Sequence, residues 1–261
     1  MSRPPLLAAS EALELALAAR EPGALAALES ASDRLGALVL GARPGASAVD
    51  PVALGIALTA RVPGLAVVAG NADSFGGSGA DAPYNAARRL LSLDHLSLGR
   101  GGALFAGAGE PLARTVERIR VIRELWNSWP RESLVADVAR GVFAETDGIR
   151  RIEHTGEYFS VLGSLNSPTS LQGEPVSILR VGTAEALAAA EELVDLVVLD
   201  DPSLRSEGAV ELVPVDSAAE LAAVVAGLAA APSGTLRARL GLPERTLDLS
   251  DRPLAFGAAR A

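Results

Sequence analysis

The sequence predicts an α/β fold in which parallel strands are joined by crossover helices. Short β-type segments alternate with longer helical segments through most of the chain, and no internal repeat or Pro- or Ser-rich linker divides it. The size agrees, because 261 residues, 49% of them hydrophobic, come close to the roughly 250 of a (β/α)8 barrel. We therefore expect residues 1–261 to form one domain with a large buried core.

The first half of the chain contains four predicted strands, each followed by a helical segment. The strands are short apolar runs, at 5–8, 37–40, 64–70 and 101–107. The helices have apolar residues at helical spacing, at 11–30, where Pro22-Gly23 interrupts the pattern, and at 51–61, 83–93 and 110–129. Residues 71–81, rich in Gly, Asp and Ser, are a predicted loop at the carboxyl end of a strand, where barrels bind their ligands.

Regularity is lost between residues 131 and 174, which we interpret as an insertion. It contains a predicted short helix through Ala139 and β-like pieces around Phe143, Ile152 and residues 158–161. Alternation then resumes, with strands at 175–181, 195–199 and 209–213 and helices at 184–193, 217–230 and 235–240. The barrel pattern reaches seven strands at most, so one strand of a complete (β/α)8 barrel is missing from it.

Composition excludes several classes of function. The chain has no cysteine, so it forms no disulfide or thiolate metal site, and all 23 of its basic residues are Arg, which excludes a lysine Schiff base and a P-loop lysine. A net charge of −9 without a basic block argues against nucleic acid as a partner. No apolar run approaches the roughly 18 residues of a membrane span, and the first residues do not resemble a signal peptide. We expect a cytoplasmic protein that does not enter a membrane.

Neither histidine is predicted to bind a metal. His95 and His154 lack a second His, a Cys or a carboxylate at ligand spacing, which favours structural roles for both. Asp94 and His95 follow a helix and precede a strand, so we expect them to hydrogen-bond the turn between the two. Arg88 or Arg89 is expected to satisfy the last helical carbonyls.

Other catalytic patterns are absent from the sequence. There is no G-x-S-x-G nucleophile elbow and no G-x-G-x-x-G that follows a strand. Trp126 and Trp129 share one helical face, which indicates packing rather than ring stacking on a ligand. The adjacent carboxylates Asp200 and Asp201 are interpreted as a solvated loop end, not as an acid–base pair.

Three blocks of the sequence resemble one known family. Residues 83–100, PYNAARRLLSLDHLSLGR, are similar to PYxxARRxxSLDHLSxGR in the nitrilotriacetate and dibenzothiophene-sulfone monooxygenase branch of the bacterial luciferase-like, flavin-dependent monooxygenase superfamily. Residues 124–129, ELWNSW, and residues 154–176, which begin HTGEYFSVLGSLN and end QGEPV, resemble the same branch in the same order. The chain is thereby identified as a shortened, divergent member of that branch.

The resemblance implies a TIM-barrel-like (β/α)8 fold, here compacted and short of a strand, that holds reduced FMN at the carboxyl ends of its strands. A separate flavin reductase would supply the reduced FMN, and O2 would react with it. The flavin carries that chemistry, while the protein binds the flavin and excludes water. The superfamily commonly forms dimers, and a missing strand would expose a sheet edge that a second chain could cover. A homodimer is therefore expected.

The resemblance also places a phosphate loop at residues 181–186. The family pattern AGSSxxG reads VGTAEA here. Gly182 and Thr183, with backbone amides at the start of a helix, could hold an anion. The second hydroxyl of the pattern is replaced by Ala184, and Glu185 adds a negative charge.

Three further residues are candidates for the flavin site. Asn71 or Ser74 is expected to replace the family's Thr/Ser motif after the third strand by hydrogen bonding. Tyr84 begins a helix beside the Gly-rich loop and is the third candidate.

Several polar positions of the family are replaced by small apolar residues. The acidic residue that ends the family's second strand is missing from residues 38–41, LVLG, and the fourth-strand pattern WNxVTS reads ALFAGA at residues 103–108. Each flavin group left without a partner would cost about 1–3 kcal/mol. Two functions stay open: an FMN-dependent monooxygenase acting on a small organic substrate, or a catalytically degenerate barrel that serves as a binding or partner module.

Overall fold

Strands and helices alternate along the chain in the computed structural model, which describes residues 4–42, 49–70, 82–106 and 109–256. The strands are β1 Leu6–Ala9, β2 Ala37–Leu40, β3 Val67–Gly70, β4 Gly101–Ala106, β5 Leu134–Asp137, β6 Val142–Ala144, β7 Ile152–Thr155, β8 Ser160–Gly163, β9 Val176–Val181, β10 Leu196–Leu199 and β11 Leu212–Val215. The α-helices are α1 Glu11–Ala18, α2 Pro22–Ala31, α3 Pro51–Arg61, α4 Pro83–Leu96, α5 Leu112–Asn127, α6 Ala184–Ala190, α7 Ala218–Val225 and α8 Leu236–Leu240. Among these elements, no helix is both long and apolar enough to span a bilayer.

Seven parallel strands form the main sheet, in the order β10-β9-β4-β3-β2-β1-β11. From β1 to β10, each strand of this sheet lies beside the next one along the chain. Leu6 lies opposite Ala37, Leu38 opposite Val67, and so on through the sheet. Parallel neighbours in chain order, joined by helices, are the arrangement of a (β/α) barrel.

Hydrogen bonds join the two end strands of this sheet. Val197 of β10 donates to Gly208 O at 3.0 Å, and Val210 donates back to Val197 O at 2.9 Å. Residues 208–215 therefore pair with β10 at their start and, as β11, with β1 at their end. The sheet is a compacted, TIM-barrel-like ring of seven strands, as the sequence predicts.

The interior of the ring is apolar. Side chains at alternating positions of all seven strands form one cluster, separate from the core between the strands and the outer helices: Leu6, Ala37, Val39, Ala66, Val68, Leu104, Val176, Ile178, Leu196 and Val198, with Val210 and Leu212 packed against them. Leu236 and Leu240 of α8 belong to the same cluster. Since Leu236 lies against Gly102 and Leu240 against Gly36, α8 covers the amino ends of the strands.

The interruption noted at Pro22-Gly23 is confirmed as a helix break, and one local expectation was wrong. Residues 11–30 form two helices because Pro22, which has no N–H, starts the second one at its first turn. The short helix expected through Ala139 is instead one 3-10 turn, Arg131–Ser133, followed by β5.

The segment 131–174 consists mainly of two antiparallel hairpins, β5–β6 and β7–β8, in line with the predicted insertion. Helix α5 holds the second hairpin through the carboxylate of Glu117. That carboxylate accepts hydrogen bonds from the backbone N–H groups of Tyr158 and Phe159, and it lies 2.9 Å from His154 Nε2. His154 is thus an anchoring residue of the insertion.

Candidate functional site

Two adjoining cavities lie at the carboxyl ends of the barrel strands. The first, of about 340 Å³, lies between β4, β9 and the starts of α5 and α6. The second, of about 440 Å³, lies between β10 and residues 209–212. Arg180 and Asp200 line both cavities. We call this region the mouth of the barrel.

Arg180 crosses the mouth from β9. It follows Val176 and Ile178 at the two-residue spacing that directs side chains of a strand to one face, here the interior. Its Nη1 lies 2.6 Å from Asp200 Oδ1, and its Nη2 donates to Ala42 O at 3.2 Å. Ala42 follows β2, which lies three strands from β9 in the sheet. The guanidinium therefore spans the opening of the ring.

A second carboxylate, that of Glu110, lines the first cavity and is held by neighbouring residues. Its Oε1 accepts from Thr115 Oγ1 at 3.0 Å, and its Oε2 pairs with Arg118 and, at 3.2 Å, with Arg114 Nε. Arg114 and Arg118 also lie over the ring of Phe159, at 4.8 and 5.6 Å from its centre, respectively. The charge of Glu110 is thus balanced before any ligand binds.

The opposite side of the mouth is built from small residues. Gly41 and Gly70 follow β2 and end β3, and a Cβ on Gly70 would lie only 2.4 Å from Gly41 O. Gly41 also has φ +64, a conformation that favours glycine. Its N–H donates to Glu14 Oε1 at 2.6 Å. The close approach of the two strand ends leaves no space there for the side chains that the family pattern carries.

Part of the chain is similar in sequence to known monooxygenases and to a synthase subunit. No family model matches the chain. One of the subunits of pristinamycin IIA synthase from Streptomyces pristinaespiralis is 35% identical over 182 residues, which are 63% of this chain and 64% of that one. Dibenzothiophene-sulfone monooxygenase of Rhodococcus erythropolis is 38% identical over 117 residues, 38% of this chain and 26% of that one. The chain is thus similar in sequence to members of the luciferase-like monooxygenase superfamily.

The fold agrees with that of a solved structure. The crystal structure of the long-chain alkane monooxygenase LadA superposes with a TM-score of 0.62 at 18% identity, over 76% of this chain and 56% of LadA. The chain therefore matches less than two thirds of the length of each of these three proteins.

The first and third blocks of resemblance, residues 83–100 and 154–176, are joined by hydrogen bonds at the amino end of the barrel. Asp94, at the end of α4, accepts from Gly101 N at 3.2 Å and from Gln172 Nε2 at 2.6 Å, and Ser170 Oγ also donates to it. Burial raises the pKa of Asp94, against the lowering effect of the hydrogen bonds from Ser170 and Gln172. His95 Nε2 lies 2.7 Å from Pro168 O. The first and third blocks thus bind each other, far along the strands from the mouth.

These contacts confirm that Asp94 hydrogen-bonds the turn between α4 and β4, whereas His95 contacts Pro168 O instead of that turn. The expectation for the arginines also needs correction. Arg89 pairs with Asp50 at the start of α3 rather than with carbonyls of its own helix. Trp126 is fully buried, with Nε1 donating to Ala87 O at 3.0 Å, so its predicted packing role is confirmed. Among the described residues, no group of three or more His, Asp or Glu side chains is placed to hold a metal ion.

The luciferase-like barrel brings two of the five predicted flavin-site residues to the mouth. Gly182 and Thr183 line the first cavity, and Thr183 Oγ1 also caps α6 by accepting from Ala186 N at 3.1 Å. Tyr84 lies in the first turn of α4, half-buried against the outer core, and lines neither cavity. Asn71 and Ser74 lie outside the described residues.

Sequence reasoning missed the two most prominent polar groups of the mouth. Asp200 is not merely a solvated loop end, because it pairs with Arg180 at the mouth of the ring. Its neighbour Asp201 accepts instead from Ser203 N, outside both cavities. A signal was available: Leu196, Val198 and Asp200 have the same two-residue spacing as Val176, Ile178 and Arg180.

Proposed function

We propose that the protein is part of an FMN-dependent monooxygenase that oxidises a small organic molecule with reduced flavin and O2. One observation carries the proposal: a luciferase-like ring has a cavity at the carboxyl ends of its strands, and Arg180, Gly182 and Thr183 lie together in it. Its volume of about 340 Å³ falls in the range of roughly 300–1,000 Å³ that is usual for ligand sites.

The donors of the mouth suit a flavin. The hydroxyl of Thr183 keeps its proton for a ligand while its oxygen caps α6, and Gly182 lets a ligand approach the backbone. Arg180 Nε is buried and has no acceptor in the described part of the chain. Bound reduced FMN would supply the electrons for O2 activation. The residues of this chain would position its polar groups and restrict the entry of water.

The proposal is tested by FMN retention. The protein is incubated with FMN, desalted, and examined for visible absorbance, and its affinity for reduced FMN is measured under anaerobic conditions. We expect binding in the micromolar range, weakened roughly tenfold in Thr183→Ala, because a hydrogen bond to a charged group contributes about 1.5–3 kcal/mol. Thr235→Ala removes a similar helix cap at the other end of the barrel and should bind FMN like the parent. A parent protein that retains no flavin would refute the proposal.

A second candidate function is that of a partner subunit that binds no flavin. A relative named as a synthase subunit supports it, since the match with that relative takes up nearly equal shares of the two chains. The Arg180–Asp200 pair, which occupies the mouth, also supports it. Under this alternative neither oxidised nor reduced FMN binds, whereas micromolar affinity would argue against it.

We also propose a flavin reductase as supplier of reduced FMN and a homodimer as the assembled form. The exposed edge that motivated the dimer is not found in the described residues, because β10 is joined to residues 208–210. The proposal of a dimer therefore depends on the common occurrence of dimers in the superfamily. Light scattering should give twice the mass of the 261-residue chain, and a monomeric mass would contradict it.

A further inference from the structure

The Arg180–Asp200 pair divides the mouth into its two cavities. Below it, the inner side chains of β9 and β10 are apolar: Val176, Ile178, Leu196 and Val198. Any ligand that enters the ring from this end therefore meets the guanidinium of Arg180 before it meets apolar surface. A cation at the entrance to an apolar interior favours anionic ligands over neutral ones.

The ion pair with Asp200 holds Arg180 only weakly. Its side chain is 45% exposed, and that of Arg180 is 23% exposed. Exposed ion pairs contribute little to stability because water and salt screen them. Asp200 lies just beyond the end of β10, so its carboxylate can leave the guanidinium without disturbing the ladder of the strand.

Arg180 also has hydrogen-bonding capacity that this pair does not use. Nη1 serves Asp200 and Nη2 serves Ala42 O, but Nε has no acceptor within the described ranges. A guanidinium binds carboxylate and phosphate groups through two parallel N–H groups, which gives stronger bonds than the single contact with Asp200. An incoming oxyanion could therefore form the second hydrogen bond to the guanidinium that Asp200 does not form.

We propose that Arg180 is the receptor for an oxyanion of the ligand in the mouth, and that Asp200 is a built-in competitor which the ligand displaces. The chemical class is a phosphate or carboxylate group. The inference rests on the proposed function in that it concerns the same mouth, but it holds for an anionic ligand other than flavin as well.

The test compares three variants by isothermal titration with FMN, riboflavin and inorganic phosphate. Arg180→Gln should weaken FMN or phosphate binding at least tenfold. Asp200→Asn should tighten it at least threefold, because the competing anion is gone. Asp201→Asn makes the same change one residue away, outside both cavities, and should stay within twofold of the parent. Circular dichroism checks folding, and the double variant Arg180→Gln/Asp200→Asn, which leaves no unpaired charge, replaces Arg180→Gln if the single variant does not fold.

The outcomes separate the inference from the proposed function. If no variant binds FMN or riboflavin, but phosphate binding is lost in Arg180→Gln and tightened in Asp200→Asn, the flavin function fails and the oxyanion site stands. If FMN binds and Arg180→Gln leaves all affinities unchanged, the flavin function stands and the oxyanion site fails. The inference also fails if Asp200→Asn weakens binding, if riboflavin is affected as strongly as FMN, or if no probe binds any variant.

Discussion

Arg237 and Asp195 form a buried ion pair at the amino end of the barrel. The two terminal nitrogens of the guanidinium, Nη1 and Nη2, each lie 2.9 Å from one carboxylate oxygen, and the side chains are 3% and 5% exposed. Asp195 also accepts from Ser177 N at 2.8 Å, and Arg245 lies 3.3 Å away. Burial raises the pKa of Asp195, but Arg237 and the hydrogen bonds outweigh it and hold that pKa below its ordinary value.

Asp195→Asn should destabilise the protein strongly. Removing one partner of a buried pair leaves the other charge uncompensated, which typically costs about 3–5 kcal/mol of unfolding free energy. Urea unfolding followed by circular dichroism measures the loss. The control is Asp137→Asn, which breaks the solvent-exposed pair with Arg140 in β5–β6 and should change stability very little. Equal losses of unfolding free energy in the two variants would show that the buried pair contributes no more to stability than the exposed pair.

Asp195 and Asp94, two of the buried carboxylates at this end, should give opposite pH dependences. Asp195 has a lowered pKa, so its contribution to stability is present above the unfolded value of 3.8 and is lost as the pH falls through the folded pKa. Asp94 has a raised pKa, so its contribution is complete below 3.8 and is lost as the pH rises through the folded pKa.

The pH prediction is measured as the difference in unfolding free energy between variant and parent. For Asp195→Asn the deficit should shrink in acid. For Asp94→Asn the deficit should shrink as the pH rises towards neutrality, because the amide cannot ionise. Deficits that do not change with pH would contradict the opposite shifts.

Among the elements, helix α8 has only five residues but covers the amino end of the ring. Thr235 caps its start, and Gly241, with φ +65, ends it in the left-handed conformation. Between these caps, Leu236 and Leu240 reach the inner apolar cluster and are almost fully buried. Within the described part of the chain, the helix therefore closes the amino end of the ring, opposite the mouth.

Leu236→Ala should destabilise the protein by about 2–5 kcal/mol, because it leaves a cavity beneath the strands. Thermal and urea unfolding measure the effect. Leu96→Ala makes the same truncation at the end of α4, where the side chain is 61% exposed, and should cost no more than about 0.5 kcal/mol. A small effect of Leu236→Ala would mean that α8 does not close the ring.

At the scale of the whole molecule, seven strands close a ring that normally needs eight. Residues 208–215 close the ring by pairing with two strands. Gly208 and Val210 hydrogen-bond to β10, and the following residues, as β11, pair with β1. One segment thus covers both edges that an open seven-stranded sheet would expose. This removes the unpaired N–H and C=O groups that promote aggregation at sheet edges.

Hydrogen exchange tests the closure. The amide of Val197 donates to Gly208 O and that of Val210 to Val197 O, so both should exchange slowly. The amide of Leu38, which donates to Ala66 O within the sheet, is the reference for a protected strand. If Val197 and Val210 exchange at the rate of solvent-exposed amides while Leu38 stays protected, the sheet is open.

Much of the fold was predictable because its signals are local. Prolines at the first turns of α3 and α4 and the short apolar runs of β2 and β3 depend on neighbouring residues only. The family blocks were also recognisable, and they hold the amino end of the barrel through Asp94, Gln172 and His95. The absence of polar side chains at Gly41 and Ala106 was also predictable, by comparing the sequence with the family patterns.

The composition of the mouth was not predictable in this way, because it depends on which strand ends meet around the ring. Arg180 and Asp200 are twenty residues apart and become partners through the register of β9 with β10. Arg180 reaches Ala42 only because the closed ring brings the end of β2 opposite β9. Spacing along the chain therefore established the strands, helices and family, while pairing between distant segments determined that the barrel closes with seven strands around an arginine.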